Sequence, residues 1–205
     1  MKTLYVWRHG QTDYNIERRL QGCCDTPLND NGKFQADKAA QVLAERGVTH
    51  VISSPLARAV DTAQALASLV GVEVQVLDGL IERSYGQWEG LTAAQIEADA
   101  PEQYAQWRQT GECPEVGIEL CGETGRRVAA CLQEFMDGVD EDAVVVAVSH
   151  GSAINAGITQ FLGLDAQVWH GLKGLNNAHV GHIRQARKAP GWYVESWNEN
   201  VGSVS

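Results

Sequence analysis

Short apolar runs alternate with amphipathic stretches along most of the chain. Residues 3–7 and 143–148 are dense in β-branched and aromatic side chains and predict buried strands, whereas residues 32–46 carry apolar side chains at helical spacing. Pro55 stands where the first turn of a helix accepts proline. The predicted order is strand 3–7, helix 32–46, strand 48–53, helix 55–70, strand 72–76, helix 123–139, strand 143–148, helix 151–162, and strands 178–184 and 192–197.

The alternation of strands and helices is interrupted between residues 84 and 120, where glycines and prolines surround two short predicted helices. We interpret this segment, called the 84–120 insertion below, as a lid within a single domain over residues 1–205. Repeated strand and helix units predict a mostly parallel sheet with helices on both faces, a three-layer α/β sandwich. The last two strands flank a Pro190-Gly191 turn and predict an antiparallel hairpin.

Composition narrows the function classes. The chain has 205 residues with 16 Lys and Arg against 26 Asp and Glu, a net charge of −10 that disfavours binding to nucleic acids. The longest purely apolar run, residues 143–148, is far shorter than the ~20 residues that cross a bilayer, so no membrane span is expected. Lys2 leads directly into the first strand, which favours a cytoplasmic location over secretion. The five cysteines, among them adjacent Cys23 and Cys24, are expected to be reduced thiols.

Basic and proton-bearing residues follow three of the predicted strands. Arg8 and His9 follow the first, Arg58 lies just beyond the second, and His150 follows the buried strand that ends at residue 148. Carboxyl ends of parallel strands meet at one edge of the sheet, and such a concentration of positive groups requires an anion. Phosphate fits best, because guanidinium groups match its oxygens and a neutral histidine can attack phosphorus. Glu82, beyond the third strand, is placed to protonate a leaving oxygen.

These residues lie in motifs that resemble the histidine phosphatase superfamily, in its phosphoglycerate-mutase-like branch. The resemblance covers residues 3 to about 165, in order and at the spacing of the family. The motifs are Arg8-His9-Gly10-Gln11-Thr12 with Asn15, Leu20-Gln21-Gly22 followed by Asp25-Thr26-Pro27-Leu28, Ser53-Ser54-Pro55-Leu56-Ala57-Arg58-Ala59, Glu82 with Gly86-Gln87-Trp88-Glu89-Gly90, and Ser149-His150-Gly151.

The resemblance assigns a role to each matching residue. It implies that His9 is the phosphorylated nucleophile and that Glu82 is the proton donor. It also implies a catalytic set of His9, Glu82, His150, Arg8 and Arg58, and a phosphate-binding set of Arg8, Asn15, Gln21, Gly22, Arg58, His150 and Gly151. Asn15, Gln21 and Gly22 map onto the loop that closes over phosphate.

Two segments bear on the substrate. Cofactor-dependent mutases usually have Glu-Arg-His-Tyr-Gly after the acid, whereas this chain has Ser84 in place of that histidine and continues into the Gly-x-Trp-Glu-Gly typical of phosphatases. Residues 90–101 and 174–178 resemble glucosyl-3-phosphoglycerate phosphatases of actinobacteria. The resemblance therefore implies hydrolysis of a small phosphorylated metabolite, with glucosyl-3-phosphoglycerate or a related sugar-acid phosphate as the candidate substrate.

Two other functions stay open at this point. One is a cofactor-dependent phosphoglycerate mutase, and the other is a non-catalytic module that binds a phosphorylated ligand. No cofactor and no metal are expected, since nucleotide-binding glycine motifs and carboxylate clusters at ligand spacing do not occur in the sequence. The expected partner is a small phosphorylated metabolite, and a homodimer remains a candidate assembly. Trp88, Tyr104 and Trp107 could line a sugar site, although aromatic residues at helical spacing more often form a core.

Overall fold

A computed structural model describes residues 1–202, so the last three residues of the predicted 1–205 domain lie outside the described part. Within residues 1–202, six strands form one mixed sheet in the order β3-β2-β4-β1-β5-β6. The strands are β1 (Thr3–Arg8), β2 (His50–Ser53), β3 (Val74–Val76), β4 (Val144–Ser149), β5 (Val180–Gln185) and β6 (Trp192–Glu199). β1 to β4 pair in parallel with one another, whereas β5 pairs antiparallel with both β1 and β6, so the mostly parallel sheet and the antiparallel hairpin that the sequence predicts are both present.

Helices cover both faces of this sheet. They are α1 (Asp13–Glu17), α2 (Asp30–Ala44), α3 (Ala57–Val70), α4 (Ala93–Asp99), α5 (Pro101–Thr110), α6 (Cys121–Gly138) and α7 (Gly151–Phe161). Side chains alternate along β1, so that Leu4 and Val6 pack with α6 and α7 while Tyr5 and Trp7 pack with α2 and α3. The predicted three-layer α/β sandwich is therefore confirmed. No helix within residues 1–202 has both the length and the apolar character that a membrane span needs.

The 84–120 insertion packs around its own small core. Trp88, Ile96, Cys113, Val116 and Ile118 are buried together there, separate from the two clusters that cover the sheet. Helices α4 and α5 are the two short helices that the sequence predicts, and 3₁₀ turns at Gly86–Trp88 and Pro114–Val116 flank them.

Several element boundaries differ from the prediction because capping groups set them. Helix α2 begins at Asp30, since the Asn29 side chain accepts from the Gly32 N–H at 2.8 Å. Helix α3 begins at Ala57 rather than Pro55, and Asp25 from a distant loop accepts its first N–H at 2.7 Å. The short helix α1 was not predicted. It has no buried residue and so no apolar periodicity, and its only sequence signal is the capping box of Thr12 and Asn15.

Candidate active site

The register of the two central strands brings the predicted catalytic residues together. β1 and β4 pair in parallel from Thr3 with Val144 to Arg8 with Ser149. His9 and His150 are therefore the next residues on adjacent strands, and the His9 N–H donates to the Ser149 carbonyl at 3.0 Å. Their ring centroids lie 5.1 Å apart. The expectation that both strands end at one edge with their histidines side by side is confirmed.

The two ring nitrogens of His9 have different partners. Nδ1 lies 2.7 Å from the Gly10 carbonyl, which can only accept, so Nδ1 carries the proton. Nε2 accepts from the Nε–H of Arg58 at 3.3 Å and thus holds a lone pair. Burial and the charges of Arg58 and Arg8 hold the pKa of His9 well below its usual range. His9 is consequently a neutral ring whose Nε2 is available as a nucleophile.

Arg58 is fully buried beneath the loop that follows α1. Its Nη1 donates to the Cys24 carbonyl at 2.7 Å and its Nη2 to the Gly22 carbonyl at 2.8 Å. Burial lowers the pKa of Arg58, an effect that the nearby carboxylates Glu82 and Asp25 oppose. An arginine remains charged under these conditions. The loop carbonyls therefore fix a positive charge directly against Nε2 of His9.

Arg8 and His150 each carry a buried nitrogen that has no hydrogen-bond partner within residues 1–202. Arg8 donates from Nη1 to the Leu175 carbonyl at 2.6 Å, but its Nε is unpartnered. His150 shares a 2.6 Å hydrogen bond between its Nε2 and the Ser54 hydroxyl, and its Nδ1 is unpartnered. Buried polar atoms normally find a partner, so the unpartnered Nε of Arg8, a residue that lines the cavity together with His9, indicates that the site is built for a ligand.

His150 is the one predicted phosphate-binding side chain that does not form part of the cavity wall. It is fully buried behind His9, and burial, together with His9, Arg58 and Arg8, holds its pKa well below the usual range. The adjacent residue, Gly151, does line the cavity. His150 is thus a neutral ring that packs against His9, the predicted nucleophile.

Glu82 reaches the same cavity from the segment that follows β3. Its Oε1 accepts from the backbone N–H groups of Arg83 and Ala153, both at 2.8 Å, and its Oε2 accepts from that of Ser152 at 3.3 Å. Ser152 and Ala153 belong to the first turn of α7, where the helix dipole favours a negative group. Oε1 is therefore saturated, and Oε2 is the oxygen that remains free to exchange a proton.

Asn15, Gln21 and Gly22, the residues predicted to belong to the loop over phosphate and called the phosphate loop below, form one side of the cavity. The volume of this cavity is about 430 Å³. The amide oxygens of Asn15 and Gln21 are already occupied, by the Thr12 N–H at 3.0 Å and by the Thr12 hydroxyl at 2.9 Å, respectively. Their NH₂ groups are the donors left for a ligand. The described lining residues are Arg8, His9, Asn15, Arg19, Leu20, Gln21, Gly22, Arg58, Glu82, Arg83, Tyr85, Cys121, Gly151, Ser152, Asn155 and Gly174.

Sequence reasoning missed most of the far wall of this cavity. Tyr85 lies there, hydrogen-bonded through its hydroxyl to Ser152 at 2.7 Å, and burial, with the Glu82 charge, raises its pKa to about 12. Arg83 is buried beside it and pairs with Glu112 at 2.8 Å. Trp88, Tyr104 and Trp107 instead pack within the core of the 84–120 insertion, so they are core aromatics and not cavity lining. Tyr85 lies three residues after Glu82, and this proximity to the predicted acid is the sequence signal that could have identified it.

The loop before β5 makes hydrogen bonds to two parts of the site. Asn177 donates to the carbonyls of His9 and Gly10 at 3.2 and 3.3 Å and to the Asn15 side chain at 3.1 Å. In the sequence, residues 174–178 are distinguished only by their resemblance to one group of phosphatases. The contacts show that this loop connects the histidine turn to the phosphate loop.

Comparison with known proteins agrees with this geometry. The family model for the histidine phosphatase superfamily (branch 1) matches residues 4–200. The chain is 37% identical to glucosyl-3-phosphoglycerate phosphatase of Mycobacterium tuberculosis over 98% of its own length and 96% of the relative's. It is 35% identical to a probable phosphoglycerate mutase of Serratia proteamaculans, over 96% and 92% of the two chains.

A solved structure gives the same result. The structure of a mycobacterial glucosyl-3-phosphoglycerate phosphatase in complex with VO3 superimposes with a TM-score of 0.87 at 37% identity, covering 97% of this chain and 99% of that one. The motifs at the strand ends, the sheet order and these matches lead to one conclusion: the chain belongs to the histidine phosphatase superfamily, branch 1.

Proposed function

We propose that the protein hydrolyses phosphomonoesters of small metabolites through a phosphohistidine intermediate on His9. The observation that carries this proposal is the hydrogen bonding of the His9 ring, with a proton on Nδ1 bound to Gly10 and a lone pair on Nε2 beside Arg58. A neutral imidazole with an unprotonated nitrogen next to a fixed guanidinium is what nucleophilic attack on a phosphoryl group needs.

In the first half of the reaction, Nε2 of His9 attacks phosphorus and the ester O–P bond breaks. Arg8 and Arg58 offset the charge on the phosphoryl oxygens, and the Asn15 and Gln21 amides donate to them. Glu82 gives its proton from Oε2 to the leaving oxygen, so an alcohol departs rather than an alkoxide. The buried, unpartnered Nε of Arg8 supports its assignment to the phosphoryl group.

In the second half, water attacks the phosphohistidine and the N–P bond breaks. Glu82, now a carboxylate, accepts the proton of the water, and the electron pair returns to Nε2 of His9. Inorganic phosphate leaves and the enzyme regains its first state. Glu82 thus acts as acid and then as base, for which the single weakly bonded oxygen Oε2 is suited.

The proposed substrate is glucosyl-3-phosphoglycerate or a related sugar-acid phosphate. Relatives that bear this activity in their names match nearly the whole chain, as does the structure in complex with VO3. Beyond the phosphate-binding residues, the cavity wall offers polar groups at Ser152, Asn155 and Tyr85, which suit a hydroxyl-rich leaving group. A small phosphorylated metabolite is therefore the proposed partner.

One experiment tests both the reaction and the nucleophile. The protein is incubated with a panel of phosphorylated metabolites while phosphate release is measured, and a parallel sample is quenched without acid for mass spectrometry. We expect phosphate release and a phosphoryl group on His9. Phosphate on His150 would reverse the two roles. Isomerisation of phosphoglycerate without release would favour mutase activity, which the 35% identical relative makes the second candidate. If neither phosphate release nor isomerisation is detected, the remaining candidate is a module that binds a phosphorylated ligand without turning it over.

A further inference from the structure

Glu89 of the Gly-x-Trp-Glu-Gly motif connects two parts of the site without belonging to the cavity wall that the described residues form. Its Oε1 accepts from the backbone N–H of Cys23, which follows Gly22 of the phosphate loop, at 3.0 Å. The same oxygen accepts from the backbone N–H of Tyr85 at 3.0 Å and from the Ser84 hydroxyl at 3.3 Å. One oxygen therefore joins the phosphate loop to the segment that carries the acid.

Gly22 shows how closely the loop approaches this carboxylate. A Cβ atom at position 22 would lie 2.2 Å from Oε1 of Glu89, and φ there is +50°. Only glycine fits such a contact without displacing the carboxylate. The carbonyls on either side of this contact, those of Gly22 and Cys24, are the ones that accept from Arg58. Arg58 in turn donates to Nε2 of His9, so the contacts run unbroken from Glu89 to the nucleophile.

The neighbouring thiols keep the loop free of additional negative charge. Burial, with the Glu89 carboxylate next in importance, raises the pKa of Cys23 to about 11 and raises that of Cys24 as well. Both cysteines are therefore protonated near neutral pH, and the Cys24 thiol lies 3.7 Å from Oε2 of Glu89. This environment suits a loop that must approach a phosphoryl dianion.

We propose that Glu89 is a positioning residue for phosphoryl transfer: it fixes the Gly22 to Cys24 loop so that the loop carbonyls aim Arg58 at His9 and the phosphoryl group. This inference rests on the proposed function. It assigns Glu89 a role different from that of Glu82, since Glu89 touches neither the nucleophile nor the cavity. Loss of Glu89 should weaken phosphoryl binding and attack for every substrate, whatever its leaving group.

The test compares Glu89→Ala and Glu89→Gln with the wild type on p-nitrophenyl phosphate and on an alkyl phosphate, together with the affinity for vanadate. Glu89→Ala should lose about 10- to 100-fold in kcat/KM on both substrates alike, because small misplacements of binding groups cost that much. Vanadate affinity should fall in parallel. Glu89→Gln retains an oxygen acceptor and should recover most of the loss. Glu97→Ala, an exposed carboxylate on α4, is the matched control and should change neither quantity.

Three results would overturn the proposal. A loss confined to the alkyl phosphate would make Glu89 a proton donor. A lower melting temperature with unchanged vanadate affinity would reduce it to a structural residue, and equal losses for Glu89→Gln and Glu89→Ala would remove the role of the acceptor oxygen. If Glu89→Ala does not fold, Glu89→Asp, whose shorter side chain withdraws the acceptor oxygen from the Cys23 N–H but keeps the charge, should give the same pair of losses. Failure of wild-type turnover would count against the proposed function, whereas vanadate affinity still reports on Glu89.

Discussion

The catalytic edge of the sheet and the 84–120 insertion keep their side chains in place by different means. At the edge, backbone groups hold the reacting residues: Gly10 holds His9, Leu175 holds Arg8, and N–H groups of α7 hold Glu82. In the insertion, side chains hold one another. Trp107 packs edge-on against Tyr85 and Trp88. Side chains that are held by backbone groups keep their positions when neighbouring residues are substituted. Side chains that are held by other side chains shift when one of those neighbours is substituted. We therefore expect the edge to determine the type of reaction and the insertion to determine the choice of substrate.

The largest effect is expected at the nucleophile. His9→Ala removes the ring nitrogen that accepts from Arg58, so turnover should fall by on the order of 10⁴-fold or more in kcat for every substrate. Steady-state phosphate release measures this, with near-ultraviolet circular dichroism to verify folding. His170→Ala, at an exposed histidine, serves as control. Substantial residual activity that resists the substitution would place the nucleophile elsewhere.

Glu82 should show a loss that depends on the leaving group. A sugar or glycerate alkoxide needs a proton as the O–P bond breaks, whereas p-nitrophenolate is stable as an anion. General acid catalysis is worth about 10²–10⁴-fold where it is needed, so Glu82→Gln should lose that much on alkyl phosphates and far less on p-nitrophenyl phosphate. Asp78→Asn, at an exposed carboxylate nearby, is the control. Equal losses on both substrates would mean that Glu82 only positions other groups.

The two buried histidines of the catalytic edge should lower the free energy of unfolding of the protein in acid. Each has a pKa near 6.5 when unfolded and well below that when folded. Below about pH 6.5 the unfolded chain binds protons that the folded chain does not, so stability falls as pH falls, until the depressed folded values are reached. The slope is up to about 1.4 kcal/mol per pH unit for each histidine, or about 2.7 for both.

Urea unfolding at pH 7.5, 6.5 and 5.5 measures this slope. His150→Gln should roughly halve the part of the slope that lies between pH 6.5 and 5.5, because one of the two neutral rings is gone. The exposed His170→Gln should leave it unchanged. A stability that is flat over this range in the wild type would show that the two rings are not neutral in the fold.

The sequence predicted the catalytic edge well and the far wall of the cavity poorly. Strands β1 and β4 are apolar runs whose ends are visible in the sequence, and parallel pairing alone then places His9 beside His150. Tyr85, Cys121 and Gly174 reach the wall only through long-range packing. Gly174, for example, lies in a loop without periodicity that is held by Arg8 through Leu175. The sequence also did not show that His9 lines the cavity while His150 does not, since strand register determines which residues are neighbours but not which side chains reach a cavity.

The insertion should set the ratio between substrates. Glucosyl-3-phosphoglycerate should exceed nucleoside monophosphates by at least about tenfold in kcat/KM, since the polar wall groups at Ser152, Asn155 and Tyr85 suit a hydroxyl-rich sugar better than a nucleobase. Tyr85→Ala should change this ratio, because the ring and hydroxyl form part of the wall. Tyr193→Ala, a partly exposed tyrosine on β6, should not. A ratio at or below one in the wild type would contradict the substrate proposal.

The smallest effect is expected from chelators, and it tests whether the edge completes the chemistry with its own charges. In the proposed mechanism, Arg8 and Arg58 supply positive charge at the phosphoryl group, which is the part that a divalent cation plays in other phosphatases. Glu82 accepts from three backbone N–H groups, and within residues 1–202 no group of three or more His, Cys, Asp or Glu side chains is arranged to hold a metal ion. Activity on p-nitrophenyl phosphate should therefore change less than about twofold after EDTA treatment and desalting. A magnesium-dependent phosphatase treated in parallel verifies that chelation worked. A tenfold loss that added Mg²⁺ restores would mean that the arginines do not carry the phosphoryl charge alone.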